Sequence, residues 1–166
     1  VPANLKNTIY PFNYNCFDDL EAITNRHDVG VIMMEVSRNK GPEDGFLEKI
    51  RQLATAKGIV LIFDECTSGF RQTFGGLHKI YGVEPDMAMF GKAMGNGYAI
   101  NAVIGRREVM EAAQTSFISS TFWTERIGPT AALKTMEVME KLKSWEIITA
   151  TGHRIRNGWQ QLAQKY

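Results

Sequence analysis

The polar residues that end two apolar runs are the first candidates for chemistry in this chain. Ile59 to Phe63 runs into Asp64 and Glu65, and Pro85 to Gly91 runs into Lys92, 28 positions after Asp64. An amine that loses its proton through burial or nearby positive charge becomes a nucleophile or a base, and a carboxylate beside it can hold or steer a proton. Each residue also has a plainer reading. An isolated Asp at a strand end commonly caps a helix or makes an ion pair, and most turn lysines are simply solvated. What sets Lys92 apart is its place between an apolar run and Gly95-Asn96-Gly97. Gly91-Lys92 is not a P-loop, since it lacks the upstream glycine and the following Ser or Thr, and the segment does not form a dinucleotide fingerprint.

The elements that must position this pair follow from hydrophobic patterning. Val29 to Val36 is a nearly continuous apolar run of strand length ending in Glu35, which predicts a parallel strand covered on both faces. Asp44 is expected to cap a helix carrying Phe46, Leu47, Ile50, Leu53 and Ala54 on one face, with Gly58 as its stop. The strand Ile59 to Phe63 follows at once, so the segment reads as a βαβ unit with a right-handed crossover. Asp18 and Glu21 predict a capping box at a short helix reaching about Thr24. Ala99 to Ile104 predicts a further strand and Arg107 to Ala113 a short helix. Pro129 suits the first turn of a helix in which Leu133, Met136, Met139 and Leu142 recur at spacing three. A last helix, about Trp145 to Lys165, places Ile148, Ile155, Trp159 and Leu162 on one side. Open α/β sheets bind ligands outside the carboxyl ends of their strands, which is where Asp64 and Lys92 would lie.

Asp64-Glu65-Cys66-Thr67-Ser68-Gly69-Phe70-Arg71, then Pro85-Asp86, then Gly91-Lys92-Ala93-Met94-Gly95-Asn96-Gly97 resembles the signature of class III (subgroup II) aminotransferases, which are pyridoxal-phosphate (PLP) enzymes. Gly69-Phe70-Arg71 stands where many omega-aminotransferases carry Gly-Phe-Gly-Arg, so the chain is most similar to the glutamate-1-semialdehyde 2,1-aminomutase branch. The resemblance runs from about Val29 to about Met139. It implies an α/β fold, the fold type I PLP-dependent transferase large domain, in part: a mostly parallel sheet with helices on both faces.

The resemblance also implies roles. Lys92 would form the Schiff base with PLP and act as the base, and Asp64 would face the pyridine nitrogen and keep it protonated. Cys66 stands where relatives usually have Val beneath the ring, so packing is its expected role. Thr67 stands where relatives often have Gln or Met near the phenolic oxygen. Glu35 matches a family glutamate on the substrate side, followed by a loop whose Arg38 and Lys40 are either solvated or substrate-facing. Ser119 to Trp123 resembles a turn whose threonine, here Thr121, reaches the phosphate of the neighbouring subunit's cofactor, which implies a homodimer. Downstream, Arg126 reads as a surface or interface ion-pair residue, with an anionic substrate group as the alternative. Asn96, Ala99 and Asn101 depart from the Gly, Pro and Gly common in relatives.

Composition agrees with a soluble, cytoplasmic protein. The chain has 166 residues, 44% hydrophobic content and a net charge of +1, enough for a core and without a general pull toward nucleic acid or anionic membrane. Its two cysteines, Cys16 and Cys66, have no framework or metal-ligand spacing. The three histidines, His27, His78 and His153, show no ligand spacing and read as surface or packing residues. No run reaches the roughly 20 apolar residues of a membrane span.

The expected activity is amino-group transfer between a small amine or amino acid and a carbonyl substrate, or within one molecule. The alternative is a catalytically silent fragment or interaction module that keeps the fold without the cofactor. The family's upstream Ser-Gly phosphate turn and ring-stacking aromatic have no match here, so the chain is expected to be a fragment that by itself retains cofactor weakly or not at all and is inactive. On that reading residues 1–142 are part of the PLP-binding large domain, and 143–166 are a helix leading to a C-terminal small domain.

Overall fold

The computed structural model describes residues 2–122 and 124–166. Trp123, the last residue of the hydroxyl-bearing turn, lies outside the described residues. Four strands, β1 (Val31–Glu35), β2 (Val60–Asp64), β3 (Met87–Phe90) and β4 (Ala102–Gly105), form one sheet in the order β1-β2-β3-β4. The first three are parallel and β4 is antiparallel to β3. The fold is therefore α/β with a mostly parallel sheet. The register sets Glu35 beside Asp64 and Asp64 beside Met89, which gathers the carboxylates at one end of the strands.

The core lies on one side of this sheet. Ile32, Met34, Leu61, Phe63, Ala88 and Phe90 are buried, while Val31 and Met33, on the alternate positions of β1, are 51% and 52% exposed. This corrects the expectation that the Val29 to Val36 run is covered on both faces: successive side chains of a strand point to opposite sides, and the side of β1 that bears Val31 and Met33 is left half-exposed by the described residues. Burial of each large core side chain stabilises the fold by about 1.5–3 kcal/mol.

Helix α1 (Phe17–Arg26) and helix α2 (Phe46–Lys57) supply Leu20, Phe46, Leu47, Ile50 and Ala54 to that core. Neither begins on the expected cap. Phe17 packs against the core and brings the start of α1 forward, so Asp18 falls within the first turn, where its charge suits the helix dipole. Asp19 turns back to accept hydrogen bonds from the Asn13 amide nitrogen at 3.3 Å and from its Nδ2 at 2.7 Å. Asp44 makes no capping bond; it and Gly45 both adopt left-handed backbone before Phe46. The expected stop at Gly58 is present. Gly58 has φ +67°, its N–H donates to the Thr55 carbonyl, and the Ile59 N–H reaches back to Ala54.

Helix α3 (His78–Tyr81) is a single turn, and helix α4 (Arg107–Met110) gives way to a 3₁₀ turn at Glu111–Thr115, so the helix expected over Arg107 to Ala113 is only half α-helical. Helix α5 (Ile127–Leu142) carries Pro129 in its first turn, and the Glu125 carboxylate accepts from the Ile127 and Gly128 amides. Its buried face is Ala132, Met136 and Met139, while Leu133 and Leu142 are exposed. Residues at a strict spacing of three drift about 60° per step around a helix, so one face cannot hold all four expected positions. Lys143 alone, in left-handed backbone, separates α5 from helix α6 (Ser144–Lys165). Along α6, Ile148, Ile155, Trp159 and Leu162 are between 48% and 69% exposed. Among the described residues no helix is long and apolar enough to cross a membrane.

Asp86, just before β3, ties the layers together. Its Oδ2 accepts from the Leu61 amide at 2.8 Å and from Arg51 Nη1 at 2.9 Å, and its Oδ1 accepts from Arg106 Nη1 at 3.1 Å. Burial opposes ionisation of this carboxyl most strongly, but the Leu61 amide and the Arg51 and Arg106 guanidiniums outweigh it and hold the group below the usual carboxylate range.

Candidate functional site

β3 ends at Phe90, and the chain turns sharply to place Lys92. Gly91 is extended and Lys92 is left-handed at φ 43°, a conformation that costs a side-chain-bearing residue energy. Three backbone bonds close the turn: the Met94 N–H donates to Gly91, and the Gly95 and Asn96 N–H groups donate to Lys92. A Cβ at position 91 would lie 2.4 Å from Asn101 Oδ1 and 3.5 Å from Cys66 Sγ. Glycine there lets the loop after β2, the turn after β3 and the approach to β4 converge.

Lys92 Nζ donates a 2.7 Å hydrogen bond to Thr67 Oγ1. Asp64, at the end of β2, accepts from the Cys66 amide through Oδ1 at 2.9 Å, and the Cys66 thiol lies beside the same carboxylate. Burial, then the Asp64 carboxylate, push the Cys66 thiol up, with Lys92 opposing. The thiol is thereby kept in its protonated form, which suits a packing group better than a nucleophile. Lys92 itself is exposed, so the burial expected around its amine is not supplied by the described residues.

Glu35 lies one strand over, in register with Asp64. Its Oε1 accepts from Arg38 Nη1 at 3.0 Å, and its Oε2 is buried without a partner. The carboxylate borders a cavity of about 470 Å³ that it shares with Tyr14, Arg38 and Lys40. The Tyr14 hydroxyl donates to the Val36 carbonyl, and burial followed by the nearby Tyr81 pushes it up to about 12, so it stays a donor.

A larger cavity, about 1060 Å³, opens beside Lys92 toward α5 and α6. Arg71, Arg126 and Lys134 line it together with Phe70 and Met139. Lys134 pairs with Glu137 at 2.7 Å, whereas Arg71 and Arg126 make no ion pair among the described residues. The reading of Arg126 as an ion-pair residue thus finds no partner within the described chain. The walls suit an anionic, partly apolar ligand.

The structure brings Asp64, Cys66, Thr67 and Lys92 to one rim, with Glu35 on the adjoining strand. It does not bring Thr121 there. Thr121 is exposed in the turn before α5 and bonds to none of the four. Sequence reasoning passed over Glu65, Ser68 and His78, whose side chains meet inside the loop after β2. The only signal was that Glu65 adjoins Asp64; the partners lie 3 and 13 residues away with no recognisable period.

The profile of the family described as "Aminotransferase class-III" matches residues 13–166. A 3-aminobutyryl-CoA aminotransferase of Cloacimonas acidaminovorans is 42% identical over 163 residues, covering 93% of this chain and 39% of that protein. A glutamate-1-semialdehyde 2,1-aminomutase of Natranaerobius thermophilus is 31% identical, covering 99% of this chain and 40% of that protein. Among solved structures, the FumI protein of Sphingopyxis sp. MTA144, in its PLP internal aldimine form, superposes with a TM-score of 0.90 at 25% identity, over 99% of this chain and 42% of that one. The chain spans about 40% of the length of the curated relatives it matches.

Proposed function

The chain belongs to the class-III aminotransferase family, and from that premise we propose that it carries the lysine and the ring-nitrogen carboxylate of a PLP-dependent enzyme of amino-group transfer. The observation that carries this reading is the convergence of Lys92, Thr67 and Asp64 at the carboxyl end of β2 and β3.

The residues present fit PLP. Lys92 presents an exposed amine, Asp64 presents a carboxylate at the carboxyl end of β2, and Glu35 holds a buried carboxylate oxygen that lacks a donor. When bound, PLP supplies a carbonyl carbon for the substrate's amino group and a ring that withdraws electrons from the reacting carbon. Asp64 would keep a proton on the ring nitrogen. Lys92 Nζ would anchor the cofactor and, once released, carry a proton between carbon atoms. Thr67 Oγ1 orients that amine, and Cys66 offers an apolar contact beside it. Glu35 would take a donor on the substrate side, and Arg71 and Arg126 would receive an anionic group of the substrate. Thr121 would serve a neighbouring subunit's phosphate site in a cytoplasmic homodimer. α6 would lead from the large domain, residues 1–142, toward a small domain.

Transfer between two molecules is the reading favoured here, because the relative named as an aminotransferase is 42% identical and two relatives named as aminomutases are 31% and 35% identical. An aminoacyl-CoA substrate, as in the name of the first, suits the cationic and apolar walls beside Lys92. Intramolecular transfer is the second reading. The test is direct: the whole protein that contains this chain, given PLP and reduced with borohydride, is expected to carry the label on the peptide containing Lys92, and a whole protein that takes up no label refutes the proposal. Consumption of an amino donor only when a separate carbonyl acceptor is present distinguishes the two reactions.

A further inference from the structure

Glu65 is 0% exposed, yet it carries a carboxylate one residue beyond Asp64. Ser68, His78 and the Leu77 amide converge on it. The Ser68 hydroxyl donates to Oε2, and Oε1 receives both the His78 amide at 3.0 Å and His78 Nδ1 at 2.8 Å. An ionised carboxylate only accepts, so the His78 proton sits on Nδ1. Burial pushes Glu65 up most strongly, but the bonds from the His78 ring, from Ser68 and from the His78 and Leu77 amides outweigh it and hold the carboxyl below its ordinary range.

The same residue is fixed through its main chain. Its N–H donates to Met89 of β3 at 2.8 Å, and its carbonyl accepts the Gly69 N–H at 2.8 Å. At position 76 a Cβ would sit 2.3 Å from the His78 ring and 3.0 Å from Glu65 Oε1, so the loop closes on the carboxylate with no space for a side chain. Residues 66–77, which lack regular secondary structure, are thus clamped at both ends by one buried anion. Thr67 lies inside the clamp, next to Ser68.

We propose that Glu65 is a positioning residue for Lys92: held by Ser68 and His78, it fixes the loop so that the Thr67 hydroxyl meets the lysine amine. The inference deepens the amino-transfer reading, since Lys92 is its central residue, but the contact itself involves no cofactor. A buried charge is a costly way to fill a core, and removing the donors or the acceptor leaves the others unpaired. Glutamine is the conservative replacement: its carbonyl oxygen keeps both His78 bonds, and its amide can donate to the Ser68 oxygen.

The test uses the full chain without added PLP and reads the rate at which trace acetic anhydride labels Lys92, by peptide mass spectrometry. Thr67 occupies the amine, so Thr67→Val is expected to raise the labelling rate roughly threefold in the wild-type background. In a Glu65→Ala background the same substitution should change the rate less than about 1.5-fold, and in Glu65→Gln the threefold effect should return. A Thr67→Val effect of full size in folded Glu65→Ala protein would overturn the proposal, as would no effect in the wild-type background. Should Glu65→Ala not fold, Ser68→Ala is read in its place with the same outcomes. Failure of PLP to attach at Lys92, with this coupling intact, would remove the functional reading and leave the positioning role standing.

Discussion

Lys92 Nζ and Thr67 Oγ1 meet at 2.7 Å although 25 residues separate them in sequence. The contact joins the turn after β3 to the loop after β2, so it depends on strand pairing and on the closure of residues 66–77. Thr67→Val is expected to lower kcat/KM of the whole enzyme that contains this chain about tenfold, and Thr67→Ser to stay near the wild type, because only the hydroxyl is needed. Steady-state kinetics on the pair check this.

The left-handed backbone at Lys92 sets stability against function. Glycine adopts φ 43° without a Cβ penalty, so Lys92→Gly should stabilise the fold by about 1 kcal/mol while abolishing amino transfer and the borohydride-fixed label. Lys92→Ala should lose activity without that gain. Thermal melts of the two variants decide it.

Asp86 gives the fold an acid limit. Its carboxyl titrates lower in the folded chain than the roughly 3.9 of an unfolded one, so its contribution is present above that value and is lost as pH falls through the folded value. Asp86→Asn should cost about 2–4 kcal/mol near neutral pH, by leaving Arg51 and the Leu61 amide poorly paired, and should flatten the loss of stability in acid. Urea unfolding between pH 3 and 7 measures both.

Arg71 and Arg126 face the cavity beside Lys92 without an ion-pair partner among the described residues. Arg126→Gln is expected to raise KM for an anionic substrate about tenfold with little change in kcat, and the double variant with Arg71→Gln to raise it further. Lys134→Gln is the control, since Glu137 already neutralises that lysine.

What could be read before the fold was known followed the range of the interactions. β2, β3 and the Lys92 turn were legible because apolar runs with a polar end state their own boundaries, and Gly58 was legible because a left-handed stop is a local requirement. The starts of α1 and α2 were not. There the packing of Phe17 and the left-handed pair Asp44 and Gly45 override the propensity of a nearby Asp to cap. The half-open sheet was hidden as well, since a continuous apolar run looks the same whether one face or both are covered. The Glu65, Ser68 and His78 cluster was illegible for a different reason: its members are joined by loop closure, and no spacing rule encodes that. His78, read as a surface or packing residue, is buried and is the main donor to a buried carboxylate.

Lys143 alone joins a 16-residue helix to a 22-residue one. At about 1.5 Å per residue, α6 is a pointer roughly 33 Å long, and a 10° change at its base sweeps its far end through about 6 Å. Its near end, with Ser144 and Ile148, forms part of the wall of the cavity beside Lys92. A rotation about Lys143 would therefore move the far end of α6 and that wall of the cavity together.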